Sequence, residues 1–237
     1  IWAFCWWVLV QDKPEQSKWL TDKEKTDLQT ELDKEQQGIK AVKNYREAFK
    51  SRNVIILCAQ YFTWSIGVYG FVLWLPSILR SGSDMGMVEA GWLSSVPYLG
   101  ATIAMVLVSW ASDKFQNRKL FVWPLLLIGA LAFLGSYLLG SSNFWLSYIL
   151  LVIAGSAMYA PYGPFFAIIP EMLPRNVAGG AMALINSMGA LGSFMGSYVV
   201  GYLNGATGSP SASYVFMSAA LFLSVFLTII VKPPKVS

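Results

Sequence analysis

The sequence predicts an all-α membrane protein: six transmembrane helices, preceded by the end of one more helix and a charged linker. Three observations carry this. Apolar residues fill 55% of the 237 positions and charged residues only 13%, at a mean hydropathy of +0.51; the usual charged share is about 25%. Six apolar stretches hold no Asp, Glu, Lys or Arg and reach the roughly 20 residues a bilayer asks for. The Lys and Arg residues fall almost wholly on alternate connections. This composition excludes a disordered chain, a nucleic-acid-binding domain and an ordinary soluble enzyme. Soluble helices would show a polar stripe at helical period, and these do not.

Residues 1–10 are apolar and end abruptly at Gln11-Asp12-Lys13-Pro14. They lack the basic start and small-residue cleavage site of a signal peptide, and they read as the tail of a helix that begins outside this chain. Residues 11–52 follow with ten Lys/Arg and nine Asp/Glu. Thr21-Asp22-Lys23-Glu24 fits a capping box, in which Glu24 reaches back to the Thr21 amide. Leu28, Leu32, Ile39, Val42 and Phe49 recur at spacings compatible with one apolar stripe, so a solvated amphipathic helix is expected over part of this linker.

The spans follow at 53–79, 90–111, 120–140, 144–169, 177–203 and 213–231. Only helices or closed barrels satisfy every backbone group in lipid, and these runs are twice too long for barrel strands. Connections 11–52, 111–119, 170–176 and 232–237 collect sixteen basic residues; the opposite connections hold Arg80 alone. That bias places the linker and the C-terminal tail, 232–237, in the cytoplasm. Trp6, Trp7, Trp92, Trp110, Trp123, Trp145 and Tyr148 fall near span ends, where interfacial anchors belong.

The spans lack the ionisable residues of proton relays and buried counter-ions, so polar recognition within them rests on neutral groups. Gln60, Trp64 and Phe71 share one face of the first span. Gln60 either bonds a neighbouring helix or donates to a polar ligand. The fourth span carries Tyr159-Ala160-Pro161-Tyr162-Gly163-Pro164. Its prolines free the carbonyls of Ala157 and Ala160, beside two tyrosine hydroxyls; broken helices at mid-membrane depth are where transporters build sites, and a packing kink is the competing account. The fifth span is rich in small residues. Gly192 and Gly196 permit close backbone contact, and Asn186, Gly189 and Ser193 share a face. There is no His, and Cys5 and Cys58 stand alone. No metal site or cofactor is expected, and a membrane-embedded enzyme lacks its nucleophile–base pair.

Ser109-Trp110-Ala111-Ser112-Asp113-Lys114-Phe115-Gln116-Asn117-Arg118-Lys119 resembles the loop motif of the major facilitator superfamily, in the copy joining helices 8 and 9. Asp113, Lys114, Arg118 and Lys119 match it; Ser109 and Gln116 stand where the family prefers Gly. Asp12-Lys13-Pro14 with Trp19-Leu20-Thr21 and Glu24, the run 90–97, and the run 164–171 are similar to the anion:cation symporter branch. The resemblance covers essentially the whole chain. It implies the end of helix 6 (1–10), an inter-domain loop (11–52), the six-helix C-terminal bundle of a major facilitator fold (53–231) and a tail (232–237).

It further implies a multi-pass protein of the bacterial inner membrane that moves a small organic anion, a sugar acid, with protons by alternating access. Its partners are the lipid bilayer and an N-terminal six-helix half that carries the acids and the anion-pairing Arg. The expected substrate contacts are Gln60, Trp64, Tyr159, Tyr162 and Asn186. Asp113 is expected to gate against the helix start at 177–180. A truncated or structural membrane protein that transports nothing is the alternative reading.

Overall fold

The computed structural model describes residues 2–11, 13–36, 39, 42, 44–81, 85–208 and 211–232. Among these, the regular structure is helical. Helix α1 is Trp2–Leu9, α2 Asp22–Gln36 and α3 Tyr45–Phe49. The long helices are α4 (Arg52–Ser81), α5 (Met87–Phe115), α6 (Trp123–Leu139), α7 (Phe144–Tyr159) with α8 (Tyr162–Met172), α9 (Arg175–Thr207) and α10 (Ser211–Ile230). Six segments of the described chain are long and apolar enough to cross a membrane: Arg52–Arg80, Met87–Phe115, Arg118–Leu139, Phe144–Met172, Arg175–Thr207 and Ser211–Ile230. They are the six expected spans, with most ends a few residues further out.

Helix α4 runs through the centre of the bundle. Its Trp64, Val68, Phe71 and Leu75 are wholly enclosed, and it packs most extensively on α9 and α10. Lipid is as apolar as these side chains, so close packing rather than escape from water selects the arrangement. The glycines show this. A Cβ on Gly192 would fall 2.2 Å from the Phe62 carbonyl oxygen, and one on Gly196 would fall 2.5 Å from that of Ile66. The expected small-residue pair thus brings the α9 and α4 backbones into direct contact. On the far side of α4, the Phe71 ring meets Phe133 of α6 at 5.7 Å, and Phe133 stacks on Tyr214 of α10 at 4.7 Å. Cys58 lies in this core as a small apolar residue.

Two expectations about the ends of the elements change. Tyr148 is not an interfacial anchor: it is buried, and its hydroxyl donates to the Leu93 carbonyl at 2.9 Å, tying α7 to α5. Trp123 is half-buried, whereas Trp6, Trp7, Trp92, Trp110 and Trp145 are exposed as expected. The apolar stripe of the linker does not run along one helix either. The capping box forms, with Glu24 accepting from the Thr21 amide at 2.8 Å and Thr21 Oγ accepting from the Glu24 amide at 3.3 Å, but α2 ends at Gln36. Asn44 then caps a separate short helix by accepting from the Glu47 amide at 3.1 Å, which puts Phe49 on α3. Asp12 and the tail residues 233–237 lie outside the described residues.

Candidate functional site

The fourth span is two helices, as its prolines require. Helix α7 stops at Tyr159 and α8 starts at Tyr162, with Pro161 at the cap position. Pro161 cannot donate into α7. The carbonyl that a side chain meets at this break is that of Met158: the Trp64 indole N–H donates to it at 3.0 Å. Trp64 is fully enclosed, and its one polar atom is occupied there. The residue therefore works from behind the break, closing a gap in the backbone bonding.

Aromatic rings fill the space in front of it. Trp64 lies 4.5 Å from Tyr162 and 5.6 Å from Tyr61, centroid to centroid. Tyr61 stacks on Phe165 at 5.2 Å and stands edge-on to Tyr162 at 6.2 Å. Tyr159 stacks on Tyr162 at 5.6 Å and meets the edge of Tyr98 of α5 at 6.0 Å. Tyr69 of α4, 39% exposed, lies two turns beyond Tyr61 on the same helix. Four helices thus contribute to one wall of rings and hydroxyls. The wall is half-buried at Tyr159 and Tyr162 and open at Tyr69.

Asn186 lies one turn before Gly189 on α9. Gly189 has the Tyr61 ring so close that a Cβ would fall 2.1 Å from it. The space beside Gly189 is therefore filled by Tyr61, and the face shared by Asn186, Gly189 and Ser193 is no open groove. Asn186 itself is exposed. Gln60 goes the other way. It is fully buried in the bundle, and neither amide atom has a hydrogen-bond partner among the described residues. Of the five expected contacts, the structure stacks Tyr159 on Tyr162, leaves Asn186 exposed on α9, and encloses Gln60 and Trp64. Sequence reasoning missed Tyr61, Tyr69 and Tyr98. Tyr69 was in principle detectable, because it lies two turns from Tyr61 and Phe62 on a helix already singled out.

The loop motif forms a charge cluster at the end of α5. Arg118 pairs with Asp113, donates from Nε to Glu171 of α8 at 2.8 Å, and donates to Ser112 Oγ at 3.2 Å. Lys114 lies over the Trp110 ring at 5.2 Å. Lys119 donates to the carbonyls of Ile229 and, at 2.8 Å, Val231, satisfying the free end of α10. Asp113 thus engages Arg118 rather than the α9 start at 177–180. The two departures from the motif are absorbed differently. At Ser109 the close approach comes from the opposite partner, since a Cβ on Gly163 would fall 2.3 Å from Ser109 Oγ. Gln116 adopts the left-handed conformation itself, at φ +51°.

Groups of His, Cys, Asp and Glu able to hold a metal ion are absent among the described residues. What the wall offers is ring faces and hydroxyls, which orient a polar ligand without balancing its charge.

The family model of the Major Facilitator Superfamily matches the chain twice, over residues 1–197 and 82–237. The chain belongs to this superfamily. A quinolone resistance transporter of Acinetobacter baumannii is 28% identical over 97% of this chain and 52% of its own length. A putative tartrate transporter of Agrobacterium vitis is 30% identical over 92% of this chain and 48% of its own length. A cis,cis-muconate transport protein of Acinetobacter baylyi is 28% identical over 89% of this chain and 49% of its own length. The chain spans about half the length of the curated relatives it matches. These likenesses agree with the anion:cation symporter branch, and they make the chain a multi-pass membrane protein of a transporter family, not an enzyme.

Proposed function

We propose that this chain is the C-terminal half of a secondary active transporter that moves a small organic anion, a sugar acid, together with protons by alternating access. The protein sits in the bacterial inner membrane with its linker and C-terminus in the cytoplasm, as the sixteen-to-one basic bias supports. The observation that carries the reading is the broken α7–α8 segment, whose half-buried Tyr159 and Tyr162 stack on each other and meet the rings of Tyr61 and Tyr98.

This half holds the anion by neutral contacts. Tyrosine hydroxyls donate to hydroxyl or carboxylate oxygens, Asn186 donates its amide, and the ring faces cover the carbon skeleton. No span supplies a cation for the carboxylate or an acid for the proton, so both roles fall to the N-terminal six-helix half. Gln60 and Trp64 support the wall from inside the bundle and do not touch the substrate.

The test uses the complete protein and a labelled hydroxy acid such as tartrate. Asn186→Ala and Tyr159→Phe are expected to weaken binding about tenfold each, the worth of one good polar contact, with normal expression. Trp64→Phe is expected to lower the melting temperature and leave affinity within about twofold. Unchanged affinity in both variants would remove the site from this face.

A further inference from the structure

Helix α9 starts with an incomplete cap. Its cap position is Pro174, whose side chain offers no acceptor to the first-turn amides. The acceptor comes from the linker. Gln36, the last residue of α2, accepts from the Arg175 amide at 3.1 Å. The same helix holds the Arg175 side chain, which donates to the Leu32 carbonyl and lies 3.5 Å from the Asp33 carboxylate. Asp33 also brings negative charge to a helix N-terminus, where it is favoured. Asn176 donates to the Val42 carbonyl at 3.0 Å. One turn on, Tyr45 of α3 rests against Gly180, where a Cβ would fall 2.4 Å from its ring.

Elsewhere α9 packs on α4 along Gly189, Gly192 and Gly196, with Ile185 and Val200 fully buried beside them. Its Ala183, Asn186, Ser187 and Ala190 are exposed. Asn186 lies six residues past Gly180, or about 9 Å along the axis. The first turns of α9 lie before this packed stretch, and a helix whose first turn depends on a borrowed cap can loosen there when the cap leaves.

We propose that α2 is a removable clasp on α9: it completes the helix cap, and its release loosens the first turns of α9 as far as the face that carries Asn186. The consequence for substrate rests on the transport reading; the clasp itself does not. Because α2 belongs to the segment between two apolar regions, motion of whatever precedes it would reach α9 through Gln36 and Arg175.

The experiment uses the complete protein in lipid nanodiscs. Amide exchange is followed over residues 175–185, and maleimide alkylation at Ala183→Cys, in a Cys5→Ser background where Cys58 is buried. Gln36→Leu removes the acceptor, and exchange is expected to rise about three- to tenfold, the factor supplied by one net hydrogen bond; alkylation at 183 accelerates with it. Gln36→Glu keeps the acceptor and should keep both rates at the parent level. Tyr45→Ala removes the second hold with the cap intact and should also speed alkylation. Unchanged exchange in Gln36→Leu overturns the proposal. So does faster exchange with unchanged alkylation, which would make Gln36 a local cap only. Unchanged alkylation in Tyr45→Ala counts against the clasp independently.

Discussion

Gln116 ends α5 at φ +51°, ψ +29°, a conformation that costs a residue with a Cβ roughly 1–2 kcal/mol. Its amide recovers part of this by donating to the Asp113 carbonyl at 2.5 Å. Gln116→Gly is therefore expected to stabilise the protein by about 1 kcal/mol, read as a higher melting temperature in detergent. A lower one would show that the side-chain bond outweighs the strain. Gln60 presents the reverse case. Both of its amide atoms are buried without a partner among the described residues, and such a group costs about 1–3 kcal/mol. Gln60→Met keeps the volume and removes both polar atoms. The variant is expected to be as stable as the parent or more so, with unchanged substrate affinity; a loss of affinity would return Gln60 to the substrate site. The sequence marked Gln60 as a polar group that must face protein or ligand. It could not show an amide facing neither, because pairing depends on what other helices bring to that depth.

Element by element, local chemistry predicted what it controls directly. The capping box of α2 forms because both of its bonds lie within four residues. The Glu24 carboxylate accepts from the Thr21 amide and hydroxyl, and these bonds hold its pKa below the usual value of 4.5. A depressed carboxylate stabilises the fold above its unfolded pKa, and that contribution is lost as pH falls through the lower folded value. The protection factors of amides at residues 21–25 are thus expected to be flat from neutral pH down to about 5 and to fall below about 4.5; Glu24→Gln, which does not titrate, removes the transition. Proline chemistry likewise predicted the break before Tyr162. The occupant of the exposed carbonyl was beyond reach, since Trp64 stands 94 positions from Met158 in the chain. The linker stripe failed for a related reason. Periodicity alone cannot see that Asn44 starts a new helix once α2 has stopped.

At the scale of the whole molecule, the six spans carry charge only near their ends, which leaves the interior of this bundle without ions for coupling. The chain alone is expected to insert as six helices and show no substrate-dependent proton uptake in proteoliposomes carrying a pH-sensitive dye. Proton uptake by this chain in isolation would overturn the proposed division of labour between two halves. The open faces of α5 and α9 fit the same picture. Leu99, Ile103, Val106 and Trp110 on one, and Phe194, Tyr198 and Tyr202 on the other, are exposed within the bundle, as a surface meeting lipid or a second half would be.

From the amino acids alone came the six spans, the family and the helix break, because hydropathy, short motifs and proline geometry act over a few consecutive residues. Tertiary structure decided which polar groups meet. It turned Gln60 and Trp64 inward, drew Tyr69 and Tyr98 into the wall, set Arg118 between Asp113 and Glu171, and capped α9 with a residue 139 positions earlier. Those outcomes hang on how helices rotate and slide against one another, and glycine contacts spread over α4, α9 and α10 settle that packing together.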